Sequence, residues 1–396
     1  MTACCGLLAA VARGDDVTTV GTMDVSADTA PPASSGFSPT LTDPILSEAA
    51  AGEWTIGTTI TITAPAGFEF QTTANSVTAD ITGNLDLGSG AGVDVSVTPT
   101  ATTIVFTVAG ASSGAAETIE FTGIAMRATS CASAVAGDAA DITVAVDTTG
   151  LSRNLVDVMV VHGAAHHLAF SVQPVDTEAG QPLLPQVAIV DQCDNVVTDA
   201  TTRTIKLTKD SGPGTLDGQK EVDTVFGVAE WTATENLRLT TAGAYTLKAE
   251  RKTGPPLPGA NEVVSDPFDI LAGPTNAGQS TIEAVGGDTS AVADGVDSVQ
   301  VRATLRDEFG NPVSGNTVRL ELANGQPLPG TVNAVASGAS NASGQVTFTV
   351  TATAVQMIDV RAFDETDAVA IAQPSAIHLS FTAGSATALR FVQQPS

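Results

Sequence analysis

Two segments of this chain repeat one pattern, and that repeat constrains the fold more than any other feature. Residues 187–197 and 301–313 are each an apolar run that ends in an Asp, followed by two variable residues, a Gly or Asp, and an Asn. The Asp residues of the two copies, Asp191 and Asp307, lie 116 positions apart. Further matches join 227–232 to 344–349, 245–249 to 358–362, and 268–273 to 381–384. Repetition at this distance predicts a tandem array of similar domains.

The spacing of the repeat divides the chain into five segments. A unit of about 110 residues has the usual size of a two-sheet β-sandwich, and 396 residues can hold about three of them. We assign residues 21–163 to an atypical β-sandwich, and 164–273 and 274–384 to two full repeats. Residues 1–20 are predicted to be a leader or a disordered N-terminus. Residues 385–396 are predicted to be the first strand of a further repeat, because 389–395 resembles 168–174.

Alternating patterns predict strands along the whole chain. Residues 58–63, 103–108 and 141–146 alternate with a period of two, as half-buried strands do. Gly and Pro clusters separate these runs, and no segment of useful length has helical periodicity. Aromatic residues make up only 4% of the chain, so the core would consist mainly of Val, Ile, Leu and Ala. The predicted fold class is all-β, an extended array of tandem β-sandwich domains joined by short linkers.

The net charge of −27 excludes some classes of partner. It comes from a shortage of bases, since 43 Asp and Glu face only 16 Lys and Arg. Nucleic acids and anionic membrane surfaces both require clusters of Lys and Arg, so neither is an expected partner. No run of 18 apolar residues is present, so no transmembrane helix is predicted.

The cysteines and the N-terminus bear on the compartment. Cys131 and Cys193 fall in different predicted domains, and Cys4 and Cys5 lie near the start of the chain. This spacing forms no readable disulfide framework, so Cys131 and Cys193 are expected to be free thiols. Residues 3–12 are apolar and end in small residues, which is typical of the end of a secretion signal's apolar region. A disordered or strand-forming N-terminus is the alternative.

The second full repeat resembles a known family. The sequence Ala-Asp-Gly at 293–295, Asp-Glu-Phe-Gly-Asn-Pro-Val-Ser-Gly at 307–315, and the segments 341–344 and 346–348 carry the resemblance. They are similar to the group-1 bacterial Ig-like domains of invasin and intimin, and the resemblance extends over 274–384. It implies an Ig-like β-sandwich fold. It also implies an extracellular, cell-surface location, where such domains serve as stacked spacers and adhesive modules.

The first full repeat and the N-terminal unit depart from that family pattern. In residues 164–273, Cys193 and Asp194 replace the Phe-Gly pair, and the Asp-Gly type of opening is absent. The turn geometry of that repeat is therefore in question, although its fold is not. Residues 46–70 resemble segments of bacterial and archaeal surface-layer-like proteins.

The repeated Asp-x-x-(Gly/Asp)-Asn element is itself a candidate site. Asp307 and Asn311 can hydrogen-bond local backbone groups in a tight turn, and Gly310 can adopt a positive φ. A structural turn is therefore the favoured interpretation over a ligand site.

Two further hypotheses concern metal binding. Loop carboxylates supply the oxygen ligands that Ca²⁺ prefers, and the calcium candidates are Asp294, Asp297, Asp364 and Asp367, with Asp288 and Glu365 nearby. Solvated loop acids are the alternative, and no cofactor other than calcium is implied. A second metal hypothesis concerns the histidines of the first domain junction, where a strand and linker are predicted. They are His162, His166 and His167.

No catalytic residue is assigned. Ser112 lies in a Gly-x-Ser-x-Gly match, but that motif requires a strand–turn–helix, and here it falls in a loop between strands. The leading functional hypothesis is a non-enzymatic surface protein segment, a rod, spacer or adhesion module. Its partners would be neighbouring domains or subunits and host or surface ligands. The alternative is a self-assembling surface-layer, sheath or filament subunit that uses residues 388–395 in strand addition. An enzyme is the weakest class.

Overall fold

The computed structural model describes residues 16–31, 36–38 and 43–385, and these residues form an all-β protein. Within this described part there is no α-helix, only short 3-10 segments at Ala27–Thr29, Cys131–Ser133 and Val285–Gly287. The hydrophobic residues separate into three cores, which contain residues 23–160, 168–270 and 282–381. The predicted all-β fold of tandem sandwich domains is confirmed.

The first domain contains two large sheets and a small one. Its strands are β1 (Asp16–Thr19), β2 (Gly21–Ser26), β3 (Ile45–Ser47), β4 (Thr59–Thr63), β5 (Phe68–Phe70), β6 (Val77–Ile81), β7 (Val95–Val97), β8 (Thr103–Thr107), β9 (Thr118–Thr122), β10 (Met126–Ala128), β11 (Ala139–Val146) and β12 (Leu151–Val161). The sheet orders are β1-β3-β9-β6-β7, β2-β12-β11-β4-β8 and β10-β5. The domain begins earlier than the predicted residue 21, because β1 pairs with β3.

The period-two pattern explains how these strands bury their apolar side. In β4, Ile60 and Ile62 are fully buried, while the threonines between and beside them lie on the other face. Successive side chains of a strand point to opposite faces of the sheet, so the alternation of Thr and Ile separates the two environments.

The second domain is the first of the two repeats. Its strands are β13 (His167–Val172), β14 (Thr177–Glu178), β15 (Gln186–Val190), β16 (Thr204–Ser211), β17 (Leu216–Asp217), β18 (Glu221–Asp223), β19 (Val228–Glu230), β20 (Arg238–Leu239), β21 (Gly243–Arg251), β22 (Glu262–Val264) and β23 (Phe268–Leu271). One sheet has the order β13-β15-β19, and the facing sheet has the order β14-β23-β21-β16-β18, with β22 beside β21. Strands β17 and β20 form a separate pair.

The third domain repeats this arrangement. Its strands are β24 (Thr281–Ala284), β25 (Ser290–Val292), β26 (Ser298–Thr304), β27 (Val318–Leu322), β28 (Val332–Ala336), β29 (Gln345–Ala352), β30 (Gln356–Asp364), β31 (Val369–Ile371) and β32 (Ile377–Thr382). The sheets have the orders β24-β26-β29-β28 and β25-β32-β30-β27, with β31 beside β30.

Each domain pairs an early strand in parallel with its last strand. These pairs are β2 with β12, β14 with β23, and β25 with β32. The other named strand pairs among the described residues are antiparallel, as expected for hairpin-connected sandwiches. In the first two domains this last strand leads directly into the linker to the following domain.

Two predicted segments fall largely outside this description. The leader or disordered segment at 1–20 is described only from residue 16, and the further repeat at 385–396 only at residue 385. Strand addition by residues 388–395 therefore concerns residues outside the described part. The described residues contain no helix long and apolar enough to span a membrane.

Candidate functional site at the domain junctions

The repeated Asp-x-x-(Gly/Asp)-Asn element forms the same closed turn in both repeats. Oδ1 of Asp191 accepts from the backbone N–H groups of Cys193 and Asn195 at 2.8 and 2.9 Å. In the third domain, Oδ1 of Asp307 accepts from the N–H groups two and four residues later, at 2.9 Å each. The prediction that this Asp bonds the local backbone is confirmed.

The fourth position of each turn requires a left-handed backbone. Gly310 has a φ of 84° and Asp194 a φ of 66°. Gly adopts this conformation without a steric penalty, and Asp is among the few other residues that tolerate it. The replacement of Gly by Asp in the first repeat therefore leaves the turn geometry unchanged.

The second carboxylate oxygen of each Asp extends out of the turn to the preceding linker. Oδ2 of Asp191 accepts from the N–H of Gly163 at 2.7 Å, and Oδ2 of Asp307 accepts from the N–H of Gly273 at 3.0 Å. Both carboxylates are buried, with 0% and 1% of their surface exposed. A buried carboxylate is tolerated where hydrogen bonds satisfy its oxygens, so each linker is held at a defined place on the following domain.

The Asn that closes each turn bonds the end of the preceding domain. Nδ2 of Asn195 donates to the carbonyl of Ala134 at 2.8 Å, and its Oδ1 accepts from the N–H of Ala136 at 2.8 Å. Nδ2 of Asn311 donates to the carbonyl of Thr240, and its Oδ1 accepts from the N–H of Ala242, each at 2.9 Å.

These bonds make each turn a connector between domains. The Asn Nδ2 also donates to the Oδ2 of its own Asp, at 3.0 Å in the first turn and 2.7 Å in the second, which fixes the two side chains together. We call each such pair an interdomain clamp: Asp191 with Asn195 is the first clamp, and Asp307 with Asn311 is the second clamp.

The two junctions differ in the residue that follows the clamp Asp by two positions. In the first junction this residue is Cys193, which forms a disulfide with Cys131 of the first domain. The prediction that both cysteines are free thiols is therefore wrong. Sequence spacing could not show the pairing, because the tertiary contact between two domains brings the residues together.

In the second junction an aromatic ring occupies the corresponding position. The ring of Phe309 lies against Gly180 of the second domain, where a Cβ atom would come within 2.4 Å of the ring. Gly180 also has a φ of 84°, so the position requires glycine for both its backbone and the ring contact. A covalent link at one junction thus has a packing contact as its counterpart at the other.

The calcium candidates lie in two loops of the third domain. Oδ1 of Asp294 accepts from the N–H groups of Val296 and Asp297 at 2.8 Å, and Oδ2 of Asp297 accepts from that of Val292 at 2.7 Å. The bonds from Asp297 and Val296 lower the pKa of Asp294 below its ordinary value. In this loop the two carboxylates therefore act as caps of backbone N–H groups.

The other two candidates form a network with neutral side chains. Oδ2 of Asp364 accepts from Oγ1 of Thr275 at 2.6 Å and from Nδ2 of Asn316 at 2.8 Å. Oδ2 of Asp367 accepts from the same Nδ2 at 2.8 Å and from the N–H of Thr275 at 2.7 Å. Asp364 is fully buried, so the alternative of a solvated loop acid does not apply to it.

The junction histidines are only partly brought together. Nδ1 of His166 lies 3.1 Å from Nδ1 of His167, whose Nε2 lies 2.9 Å from Oδ1 of Asp194. His162 instead lies 3.5 Å from Asp199. Among the described residues, no group of three or more His, Cys, Asp and Glu side chains is arranged to hold a metal ion.

The serine of the Gly-x-Ser-x-Gly match has a structural partner. Oγ of Ser112 donates to Oε2 of the buried Glu48 at 2.5 Å and accepts from the N–H of Gly52 at 2.7 Å. It lies between β8 and β9, and no helix follows it. The strand–turn–helix that the nucleophile motif requires is therefore missing at Ser112.

Sequence reasoning missed that the turn connects domains. A glycine precedes each repeat at Gly163 and Gly273, but the clamp Asp binds only its backbone N–H, which any residue except proline would supply. The partners of each clamp Asn in the preceding domain are backbone groups, and these carry no sequence signature.

Comparison with solved structures gives distant similarities. Invasin, a bacterial integrin-binding protein, is 19% identical over 55% of this chain, with a TM-score of 0.28, and this chain covers 39% of it. The Escherichia coli adhesin FdeC is 16% identical over 94% of this chain and 100% of its own, with a TM-score of 0.42. For Yersinia pseudotuberculosis InvD the identity is 17%, the coverage 59% and 60%, and the TM-score 0.34.

Sequence comparison gives a family match for the third domain. No curated protein gives a significant sequence match to the chain. The profile of the family described as bacterial Ig-like domain (group 1) matches residues 275–377. The resemblance expected from the sequence is thereby confirmed, and residues 275–377 match the group 1 bacterial Ig-like domains.

Proposed function

We propose that this chain is a non-enzymatic segment of a bacterial surface protein, in which tandem Ig-like domains act as an aligned spacer. The observation that carries the proposal is the interdomain clamp, which occurs with the same donors and acceptors at both junctions. A flexible linker needs no such bonds, whereas a spacer that holds a fixed direction does.

The first junction and the composition support an extracellular compartment. A disulfide between Cys131 and Cys193 persists in oxidising surroundings, such as the exterior of a bacterial cell, and is rare in the cytosol. The acidic surface, with a net charge of −27, keeps such a segment soluble and self-repelling. The family match of the third domain and the expected surface role of its relatives support the same location.

The proposal is tested by removing a clamp without disturbing a domain. In the full chain, Asn311→Ala leaves the carbonyl of Thr240 and the N–H of Ala242 without their partner. We expect the distance distribution between spin labels on the second and third domains to broaden in this variant, while each domain stays folded.

A matched control is available in the same domain. The side chain of Asn341 also closes a turn, accepting from the N–H groups of Ser343 and Gln345, but every one of these bonds stays within the third domain. Asn341→Ala should therefore leave the distribution narrow. If Asn311→Ala also leaves it narrow, or if the unaltered chain is already broad, the clamps do not align the domains and the spacer proposal fails.

A further inference from the structure

We propose that the end of the third domain that carries Gly384 is a docking surface for the Asp-x-x-Gly-Asn turn of a further Ig-like repeat. The inference rests on the clamp function proposed above and goes beyond it, because it assigns a binding partner to a surface outside the two existing junctions.

Each clamp hydrogen-bonds to three backbone groups of the preceding domain and its linker. In the first junction they are the carbonyl of Ala134, the N–H of Ala136 and the N–H of Gly163. In the second junction they are the carbonyl of Thr240, the N–H of Ala242 and the N–H of Gly273. In both sets the carbonyl and the first N–H lie two residues apart, just before a long strand, and the glycine follows the last strand.

Hydrogen bonds fix which residues of the third domain correspond to this set. The N–H of Gly180 donates to the carbonyl of Leu239 at 2.8 Å, and the N–H of Gly295 donates to that of Ala352 at 2.9 Å. Ala352 thus corresponds to Leu239. One residue further on, Thr353 corresponds to the clamp acceptor of the second domain.

A second pair of bonds aligns the ends of the two domains. The N–H of Ala179 donates to the carbonyl of Leu271, and the N–H of Ala293 to that of Thr382, each at 2.8 Å. The glycine two residues after Thr382 is Gly384, so it corresponds to the linker glycine of the second junction. The third domain therefore presents the full set, which is the carbonyl of Thr353, the N–H of Val355 and the N–H of Gly384.

The corresponding backbone groups at the two junctions are hydrogen-bonded to a clamp, whereas these three have no partner among the described residues. No described group hydrogen-bonds to the Thr353 carbonyl or to the N–H groups of Val355 and Gly384. Val355 is 64% exposed, and Val296 in the adjacent loop is 83% exposed. Exposed apolar side chains beside unpaired backbone groups are typical of a surface that another domain covers.

The glycine against which the aromatic ring packs also has a counterpart in the third domain. Gly295 has a φ of 80° and corresponds to Gly180, against which Phe309 packs in the second junction. The absence of a side chain at Gly295 leaves room for the equivalent Phe of an incoming turn. The geometry thus matches the Asp-x-Phe-Gly-Asn form of the turn.

The sequence after Gly384 favours a repeat of the same polypeptide as the occupant. Leu168 begins the match between 168–174 and 389–395, and it lies five residues after Gly163. Leu389 lies five residues after Gly384. The same spacing from linker glycine to first strand would bring the turn of that repeat to Thr353 and Val355.

The test supplies such a repeat to the full chain. In the fusion, residues 385–396 are replaced by a copy of residues 274–384, which continues directly from Gly384 as the original continues from Gly273. Amide hydrogen exchange is measured at Val355 and Gly384. We expect exchange at both to slow by about tenfold or more in the fusion.

The clamp residue of the copy is the decisive variable. Replacing the copy's equivalent of Asn311, by the change Asn311→Ala, should restore fast exchange at Val355, whereas Asn341→Ala in the copy should not. Exchange of the copy's core strand amides shows whether it is folded. If it is unfolded, a copy of residues 164–273 takes its place, with Asn195→Ala as the clamp variant.

The outcomes separate this inference from the proposed function. Fast exchange at Val355 and Gly384 beside a folded copy overturns the inference, while protected amides at Ala136 and Ala242 leave the existing clamps intact. Fast exchange at the amides of Ala136 and Ala242 as well as those of Val355 and Gly384 overturns the spacer proposal too. Protection that appears in the unfused chain and rises with its concentration would assign the surface to a second copy instead, which also overturns the inference.

Discussion

Cys131 of the first domain and Cys193 of the second are joined by a disulfide, with their Cα atoms 5.0 Å apart. Cys193 lies inside the first clamp turn, so the covalent link and the hydrogen bonds of Asp191 and Asn195 secure the same loop. The second junction has only the clamp and the ring of Phe309. The two junctions therefore respond differently to reduction.

Removal of this disulfide should destabilise the chain. For a loop closed over a separation of 62 residues, the chain-entropy relation gives about 4 kcal/mol, which the variant Cys131→Ser/Cys193→Ser should lose from its free energy of unfolding. Guanidinium unfolding measures the loss. Reductant should shift the unaltered chain to the same midpoint and leave the variant unmoved. Non-reducing peptide mapping that finds residues 131 and 193 on separate peptides would contradict the assignment.

Asp364 should be a strong determinant of the stability of the third domain. Asp364→Ala leaves Thr275 Oγ1 without its buried acceptor and removes one of the two carboxylates bound by Asn316 Nδ2, so we expect a loss of about 3 kcal/mol in the free energy of unfolding. The neighbouring Glu365 makes an exposed ion pair with Arg319, and Glu365→Ala should cost only about 0.5 kcal/mol. Urea unfolding of the two variants compares them, and equal losses would contradict the network's role.

Calcium binding by the candidate loops, the metal hypothesis drawn from the sequence, can be measured directly. Asp364 and Asp367 already accept hydrogen bonds from neutral donors, and a bound ion would have to displace the amide of Asn316. On this ground we expect calorimetric titration of calcium into chelator-treated protein to give no saturable heat. A saturable heat that is lost in Asp364→Asn would instead establish a calcium site.

The charge of Asp294 should contribute to stability in a defined pH range. The N–H groups of Asp297 and Val296 hold the pKa of Asp294 below its ordinary value. A carboxyl with a depressed folded pKa stabilises the fold above its unfolded pKa, and the contribution is lost as the pH falls through the folded value. Asp294→Asn should therefore lower the Tm at neutral pH, with a difference that shrinks below about pH 4. An NMR titration midpoint of Asp294 at or above its ordinary value would contradict this.

A comparison of the two tryptophans measures how much one buried hydrogen bond contributes to the free energy of unfolding. Trp231 Nε1 donates to the carbonyl of Gln219 at 3.0 Å, whereas Trp54 Nε1 has no acceptor among the described residues. Both side chains are almost fully buried. Trp231→Phe should therefore cost about 1 kcal/mol more than Trp54→Phe, because it alone removes a satisfied bond. Denaturant unfolding followed by circular dichroism measures both, and equal costs would show that the bond contributes nothing.

The strands were predictable because their signal is local. Alternation at residues 58–63 predicts the buried Ile60 and Ile62, since the side-chain period of a strand does not depend on distant contacts. The Asp-x-x-(Gly/Asp)-Asn turn was likewise predictable, because Asp307 bonds N–H groups within four residues of itself. Both features are decided by neighbours in the sequence.

The connections between domains were not predictable, because they depend on tertiary placement. The pairing of Cys131 with Cys193 needs two domains in contact, and spacing alone contains no such information. The partners of Asn311 are the backbone groups of Thr240 and Ala242, which any residue type would supply. The first domain, which does not repeat the pattern of the others, still supplies the equivalent groups at Ala134 and Ala136.

The parallel pairing of an early strand with the last strand determines how each domain bears tension. In the third domain, Ser290–Val292 and Ile377–Thr382 run side by side in the same direction. A pull applied along the chain displaces such strands lengthwise past each other, so their hydrogen bonds are loaded in shear together instead of opening one after another. The same pairing at Thr177–Glu178 and Gly21–Ser26 gives every domain this mechanical arrangement.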